Sequence, residues 1–383
     1  MKHKLFILSC VLSIIIEYCF VFIFLYKLLD FNFIVSLIIT LVILVLLTVV
    51  MFFSSKSIVQ GDADVEDKPC EQELMEIINK TNKLYNKQFE LHYTSVPILN
   101  PAFCLKNCVY INLSEKRSKN KDKPTYSLMI DEIFLPGVVA HELGHAISGL
   151  TKFSFLATVK PLYVLSSYLL IMIHALIGKK NFAAKIFNYL FVGLYTIITL
   201  PYQILVFPFI RNEEITANSI AAKLGYGNDL RSYYKLTCIL DGDENKLLRF
   251  VDFLHPSPNL MVEKLSIDLK VNKKNVDFFT AKKHLIYVKT DTVTLKIPSD
   301  CEVLLNKSIA GDNLLKLTGE SIKTVYPLAF NNCTNIEKLI LPNVEEFSVS
   351  SLSKLKNLKE IKINNVNILN KSTKAVLSFI FSF

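Results

Sequence analysis

Two almost wholly apolar stretches open the chain, Leu5–Leu29 and Phe33–Phe53. Each is long enough to cross about 30 Å of hydrocarbon at about 1.5 Å per residue. The first is too long for a signal peptide and lacks a small-residue cleavage site, so the pair predicts a membrane hairpin. Two later runs, Phe155–Ile177 and Ile186–Ile210, predict a second hairpin with Lys179, Lys180 and Lys185 at its tip. Lys160-Pro161 and Pro201 interrupt them, breaks that neighbouring helices or water can satisfy. Between the hairpins, Gly61–Lys68 is a polar linker. Glu71–Tyr85 carries Leu74, Ile77, Ile78 and Leu84 on one helical stripe. Phe89–Val96 and Cys108–Leu113 have strand length and pattern, and Ser114–Pro124 is a charged surface loop. A helix follows from about Glu132 to Leu150, with Pro136 either in its first turn or marking a later start.

From Asp291 the pattern becomes a repeat. Asp291, Asn313, Asn335 and Asn357 recur every 22 residues, as do Leu295, Leu317, Leu339 and Ile361, and Leu314, Ile336 and Leu358. A polar residue followed by L-x-x-L at this period signals a leucine-rich solenoid, in which each turn gives a short strand and neighbours share a core. Tyr326–Pro342, YPLAFNNCTNIEKLILP, resembles the BspA-type leucine-rich repeats. The apolar tail Val376–Phe383 reads as a cap of the array or a membrane contact.

Composition strengthens the membrane expectation. The 383 residues are 51% hydrophobic, and a mean hydropathy of +0.36 is above that of an ordinary soluble protein. The net charge of +9 is spread along the chain; no basic and aromatic stripe forms, so no nucleic-acid partner is expected. Lys2 and Lys4 against Lys27 in the first short loop favour a cytoplasmic N-terminus, although the lysines at the second tip run against this orientation. Cys10 and Cys19 lie inside the first apolar stretch. Cys104 and Cys108 have metal-compatible spacing but lack a second Cys/His pair, so the eight cysteines read as thiols of a reducing compartment.

The chemistry centres on His141-Glu142-Leu143-Gly144-His145. Histidines four apart share one helix face and can hold Zn²⁺, while Glu142 is placed to take a proton from a water that the metal activates. A catalytic zinc needs a third protein ligand and an open position. The head of the Ala-rich helix within Arg211–Gly227 offers Glu214, four residues before Asn218. Glu213 is the neighbouring alternative, about 100° away around the helix.

These motifs, taken in order, resemble the HtpX-type membrane zinc metallopeptidases, the family that includes the CAAX prenyl proteases. Glu214-Ile215-Thr216-Ala217-Asn218 stands where that family has E-x-x-A-D. Leu99–Asn112 resembles its N-A-F segment and following strand, and Leu254-His255-Pro256-Ser257-Pro258 its H-P signature. The resemblance spans roughly residues 1–265. It implies His141, His145 and Glu214 as ligands of one Zn²⁺ per chain, Glu142 as general base and His255 as oxyanion donor. It further implies peptide binding by edge pairing at Asn100–Phe103, leading into the strand at Val109. Two positions depart from the family: Asn218 replaces Asp, and Met261 stands where an Arg is expected.

The expected fold is a mainly α-helical polytopic membrane zinc metallopeptidase with a small β element and a C-terminal α/β leucine-rich-repeat solenoid. Its expected parts are a transmembrane hairpin (1–54), a first metallopeptidase segment (55–153), a second hydrophobic hairpin (154–210), a second metallopeptidase segment (211–275) and the repeats (276–383). The expected function is endopeptidase action on membrane or misfolded proteins at the cell membrane, with the site facing the cytoplasm. The bilayer, polypeptide substrates and a protein bound by the repeats are the expected partners. Two rival enzyme classes fit less well. The intramembrane site-2 proteases need their L-D-G motif in an apolar helix, whereas Leu240-Asp241-Gly242 sits in a polar turn. The BlaR-type sensors would follow three membrane segments with a shorter span between zinc motifs. The non-enzyme alternative is a membrane-anchored interaction protein with a weak or inactive zinc site.

Overall fold

The computed structural model describes residues 2–28, 30–59, 68, 70–94, 102–105, 107–112, 126–149, 205–206, 208–241, 256–271, 276–363 and 366–369. The chain forms two compact units, one from residues 1–224 and 243–257, the other from 225–242 and 258–383.

The first unit begins with helix α1, Lys2–Ile23, and helix α2, Phe33–Val59. Here the expected polytopic membrane fold is corrected: among the described residues no helix is long and apolar enough to cross a membrane. The stretch read as Leu5–Leu29 breaks after Ile23 into a five-residue π-helical turn, Phe24–Leu28, that carries Lys27. The second apolar pair, up to residue 204, lies outside the described residues.

Helix α3, Glu71–Tyr85, has the predicted bounds, and buries Leu74, Ile77, Ile78 and Thr81. Leu84, expected on the same stripe, is exposed. The helix ends at Asn86 in the left-handed conformation. Asn82 then joins helix to sheet, its Nδ2 donating to Phe89 O (3.1 Å) and its Oδ1 accepting from Phe89 N (2.8 Å). The three-stranded sheet that follows contains β1, Glu90–Thr94, β2, Ala102–Leu105, and β3, Cys108–Asn112, in the order β1-β3-β2. β3 pairs parallel with β1 and antiparallel with β2. Val109 is therefore in the central strand, and β1 and β2 are each paired on one side among the described residues.

Helix α4, Tyr126–Ser148, runs through Pro136 rather than starting at it. A proline cannot donate to the carbonyl four residues back, here that of Glu132. The Cys70 thiol donates to that oxygen instead, at 3.9 Å. Gly149, at φ 82°, ends the helix in a conformation that side chains disfavour. Helix α5, residues 208–224, lies across α4, and the Lys80 ammonium donates to its Leu224 carbonyl at 2.6 Å, opposing the partial negative charge of the helix end.

The second unit pairs helix α6, Gly227–Asp241, with helix α7, Pro258–Asp268. Strands follow: β4, Phe278–Ala281, β5, His284–Lys289, β6, Thr294–Lys296, β7, Val303–Leu304, β8, Ile309–Ala310, β9, Lys316–Thr318, and β10, Thr324–Val325. The series closes with β11, Lys338–Leu341, β12, Glu346–Phe347, β13, Glu360–Ile363, and β14, Val366–Leu369. One sheet has the order β12-β10-β7-β5-β4, with β8 on β5; the other has the order β14-β13-β11-β9-β6. In the second sheet Leu295, Leu317, Leu339 and Ile361 are register partners, 22 residues apart, and all are buried. The polar positions of the period stay at the surface, with Asn335 Nδ2 donating to Asp312 O (2.7 Å) and Asn357 Nδ2 to Asn335 Oδ1 (3.1 Å). The expected α/β character is corrected: among the described residues after Asp268 there is no α-helix, only the 3₁₀ turn Val349–Leu352. The stretches between strands are too short to wind a helix and still return to register.

One buried cation ties the helices of this unit to its strands. Arg231, 4% exposed, reaches both Asp277 oxygens (2.8 and 2.9 Å) and the Phe278 carbonyl (3.1 Å) while its guanidinium lies 4.3 Å from the Phe279 ring centroid. We expect Arg231→Met to lower unfolding free energy by about 2 kcal/mol, less than for a fully buried pair because water screens Asp277. Arg231→Lys should recover little, since an ammonium cannot fork. Urea unfolding followed by circular dichroism measures both, and an unchanged midpoint for Arg231→Met would dismiss the anchor.

Candidate metal centre

His141 and His145 project from the same face of α4, their rings 4.6 Å apart at 83°. Helix α5 brings Glu214 against them. Glu214 Oε2 lies 3.3 Å from His141 Nε2, Glu214 Oε1 lies 3.4 Å from His145 Nε2, and the two Nε2 atoms are 3.0 Å apart. The edges of a tetrahedron of N and O ligands around Zn²⁺ measure about 3.3 Å. The three side chains thus fit one such ion, and the donor set, two imidazoles and a carboxylate, suits zinc.

The helices meet at the two smallest residues of their contact. A Cβ built on Gly144 would lie 2.6 Å from Ala217 O and 2.7 Å from Ala217 Cα. Glycine here is a matter of space, since only its absent side chain lets the backbone of α5 come this near. Asn218, 2% exposed, accepts at Oδ1 from His141 Nδ1 at 2.8 Å, which leaves Nε2 for the ligand position. Glu213 is buried as well, with its Oε1 3.8 Å from His145 Nδ1. Sequence reasoning kept Glu213 as the neighbouring alternative, turned about 100° from Glu214. The structure places both carboxylates on His145, one at each ring nitrogen.

Charge follows geometry. Burial pushes the His145 pKa down, but the neighbouring carboxylates of Glu213 and Glu214 and the charge of Glu142 outweigh it and raise it to about 10. A pocket with this field favours a cation. Burial lifts the Cys104 thiol to about 12, helped by the charges of Glu142 and Cys108, so it stays protonated at neutral pH. Glu142 itself is half-buried on α4, beside β2. His255 lies outside the described residues.

A second group, Glu90, His92 and Cys108, occupies the first unit's sheet. Leu105 pairs with Cys108 and Val109 with Cys104, so the two cysteines take opposite faces and do not share an ion. The Glu90 side chain is 75% exposed, and its Oε2 lies 3.6 Å from His92 Nε2.

The profile of Peptidase family M48 matches residues 71–266, a span that holds both histidines, Glu142, Glu213, Glu214 and Asn218. The chain matches no curated protein and no solved structure.

Proposed function

Because the chain belongs to Peptidase family M48, a metallopeptidase family, we propose that it is a zinc-dependent endopeptidase that hydrolyses peptide bonds within other polypeptides. The observation that carries this reading is the convergence of His141, His145 and Glu214 on one buried point, with Glu142 on the same helix as the histidines. When bound, zinc supplies Lewis acidity to the scissile carbonyl and makes water acidic enough to attack at neutral pH. Glu142 takes the proton of the attacking water and passes it to the leaving amine. Oxyanion donation is assigned to His255 on the resemblance of its H-P stretch, against the charge that develops on the carbonyl oxygen.

The substrate would lie as an added strand along β2, whose pairing to β3 leaves its other edge open among the described residues. β2 packs against α4, the helix that carries Glu142, so a peptide there would run along the helix that supplies the base. We assign the strands that pair 22 residues apart to a leucine-rich array of the BspA type, with the role of recruiting a protein substrate or partner.

Zinc removal tests the reading. Dialysis against a chelator should abolish cleavage of an unfolded polypeptide reporter, and one equivalent of Zn²⁺ per chain should restore it. A second reading, an interaction protein with a silent centre, is favoured by one observation, the neutral Asn218 at His141 Nδ1. Its signature is one bound zinc per chain without cleavage.

A further inference from the structure

The two ligand histidines are not held alike. A metal takes one imidazole nitrogen as a lone pair, so the other must carry the proton and needs an acceptor. For His141 that acceptor is the Asn218 amide oxygen, neutral and at full hydrogen-bond distance, 2.8 Å. For His145 the atom facing Nδ1 is Glu213 Oε1, at 3.8 Å. That oxygen is buried and has no hydrogen-bond partner among the described residues. A buried carboxylate oxygen without a donor is costly, whereas a small rotation toward His145 supplies one. Its position excludes Glu213 as a ligand: the oxygens grouped with the histidine nitrogens belong to Glu214, and Glu213 stands on the far side of the His145 ring.

We propose that Glu213 is the positioning residue of this centre, its carboxylate accepting the Nδ1 proton of His145 and so fixing Nε2 toward the point shared with His141 and Glu214. The assignment rests on the zinc-peptidase reading and adds to it the source of the charge behind the ligands. A carboxylate behind a ligand imidazole makes it more basic and orients its ring. Asn218 orients His141 without that charge, and Glu213 brings it to the other histidine. Consecutive residues of α5 thus grip one ring from both sides, Glu214 at Nε2 and Glu213 at Nδ1. The arrangement answers the departure at 218: the charge is present, one histidine over.

The test is a set of zinc-affinity measurements on the full chain by competition with a chromophoric chelator, alongside unfolding of the zinc-free proteins. Glu213→Ala should weaken zinc about 10–100-fold, the range for lost partners of ligand imidazoles. Glu213→Gln, which keeps the shape and an acceptor oxygen, should fall between it and wild type, with the zinc-free unfolding midpoint unchanged. Adding Asn218→Asp to Glu213→Gln should regain at least threefold, because it returns a carboxylate to the histidine pair. A residue that merely packs would not be rescued in this way. Zinc affinity of Glu213→Ala and Glu213→Gln within twofold of wild type would overturn the assignment, and so would loss of affinity without recovery in the double variant. If wild type itself takes up no zinc, the peptidase reading falls and the assignment falls with it.

Discussion

Glu142→Gln should abolish peptide hydrolysis while leaving one zinc bound per chain. The side chain is half-buried and belongs to none of the ligand pairs. It lies on α4, the helix that carries both histidines and packs against β2. Glutamine keeps the size and one acceptor oxygen but cannot take the proton of the attacking water. General-base catalysis contributes about 10²–10⁴ in rate, and kcat/KM should fall by at least that factor. The comparison is made on an unfolded reporter at matched zinc occupancy. Hydrolysis within tenfold of wild type would place the base elsewhere. Loss of zinc along with activity would make Glu142 part of the ligand architecture.

Gly144→Ala should damage both fold and centre, though Gly144 is not itself a ligand. The added methyl meets Ala217 O at 2.6 Å, Cα at 2.7 Å and C at 3.0 Å, all backbone. Such atoms do not swing aside as a side-chain end does, so α5 has to retreat from α4. Overpacking of this kind costs about 1–3 kcal/mol. Glu214 sits one turn before Ala217, so the retreat carries its carboxylate off the two Nε2 atoms. A misplacement of about 1 Å costs about 10²-fold in activity. Denaturant unfolding and zinc competition measure the two effects on one preparation. Native zinc affinity in a folded Gly144→Ala protein would show that the close approach does not set the ligand distances.

How legible all this was in the sequence depended on whether a property was local. His141 and His145 share a face because 3.6 residues make a turn, whereas spacing left Glu214 beside Glu213 and the family resemblance chose it. Glu213 entered only as an alternative ligand, because the 100° argument follows the helix surface and ignores that His145 presents two nitrogens to opposite sides. An adjacent pair of acids at the head of a ligand helix was the available signal. Pro136 was misjudged since its cost is met by Cys70, 62 residues from the carbonyl it serves, a partner no local rule supplies. The membrane reading rested on runs of apolar residues in the sequence, whereas among the described residues no helix is both long and apolar enough to cross a membrane. In the C-terminal part the 22-residue period identified the buried partners Leu295, Leu317 and Leu339. Period alone does not say what fills the return of each turn, and the α-helices expected there are absent among the described residues.

Asn82 has a consequence for the peptide-binding edge. Its amide presents the same donor and acceptor pair as a peptide group, and it meets the N–H and the carbonyl of Phe89 as a neighbouring strand would. The sheet is thereby indexed to α3: helix register fixes where β1 begins, β1 fixes β3, and β3 fixes β2 beside Glu142. Alignment of a substrate strand with the base is inherited from a helix, and the connection at 86–88 serves as a tether that is not asked to keep the measure.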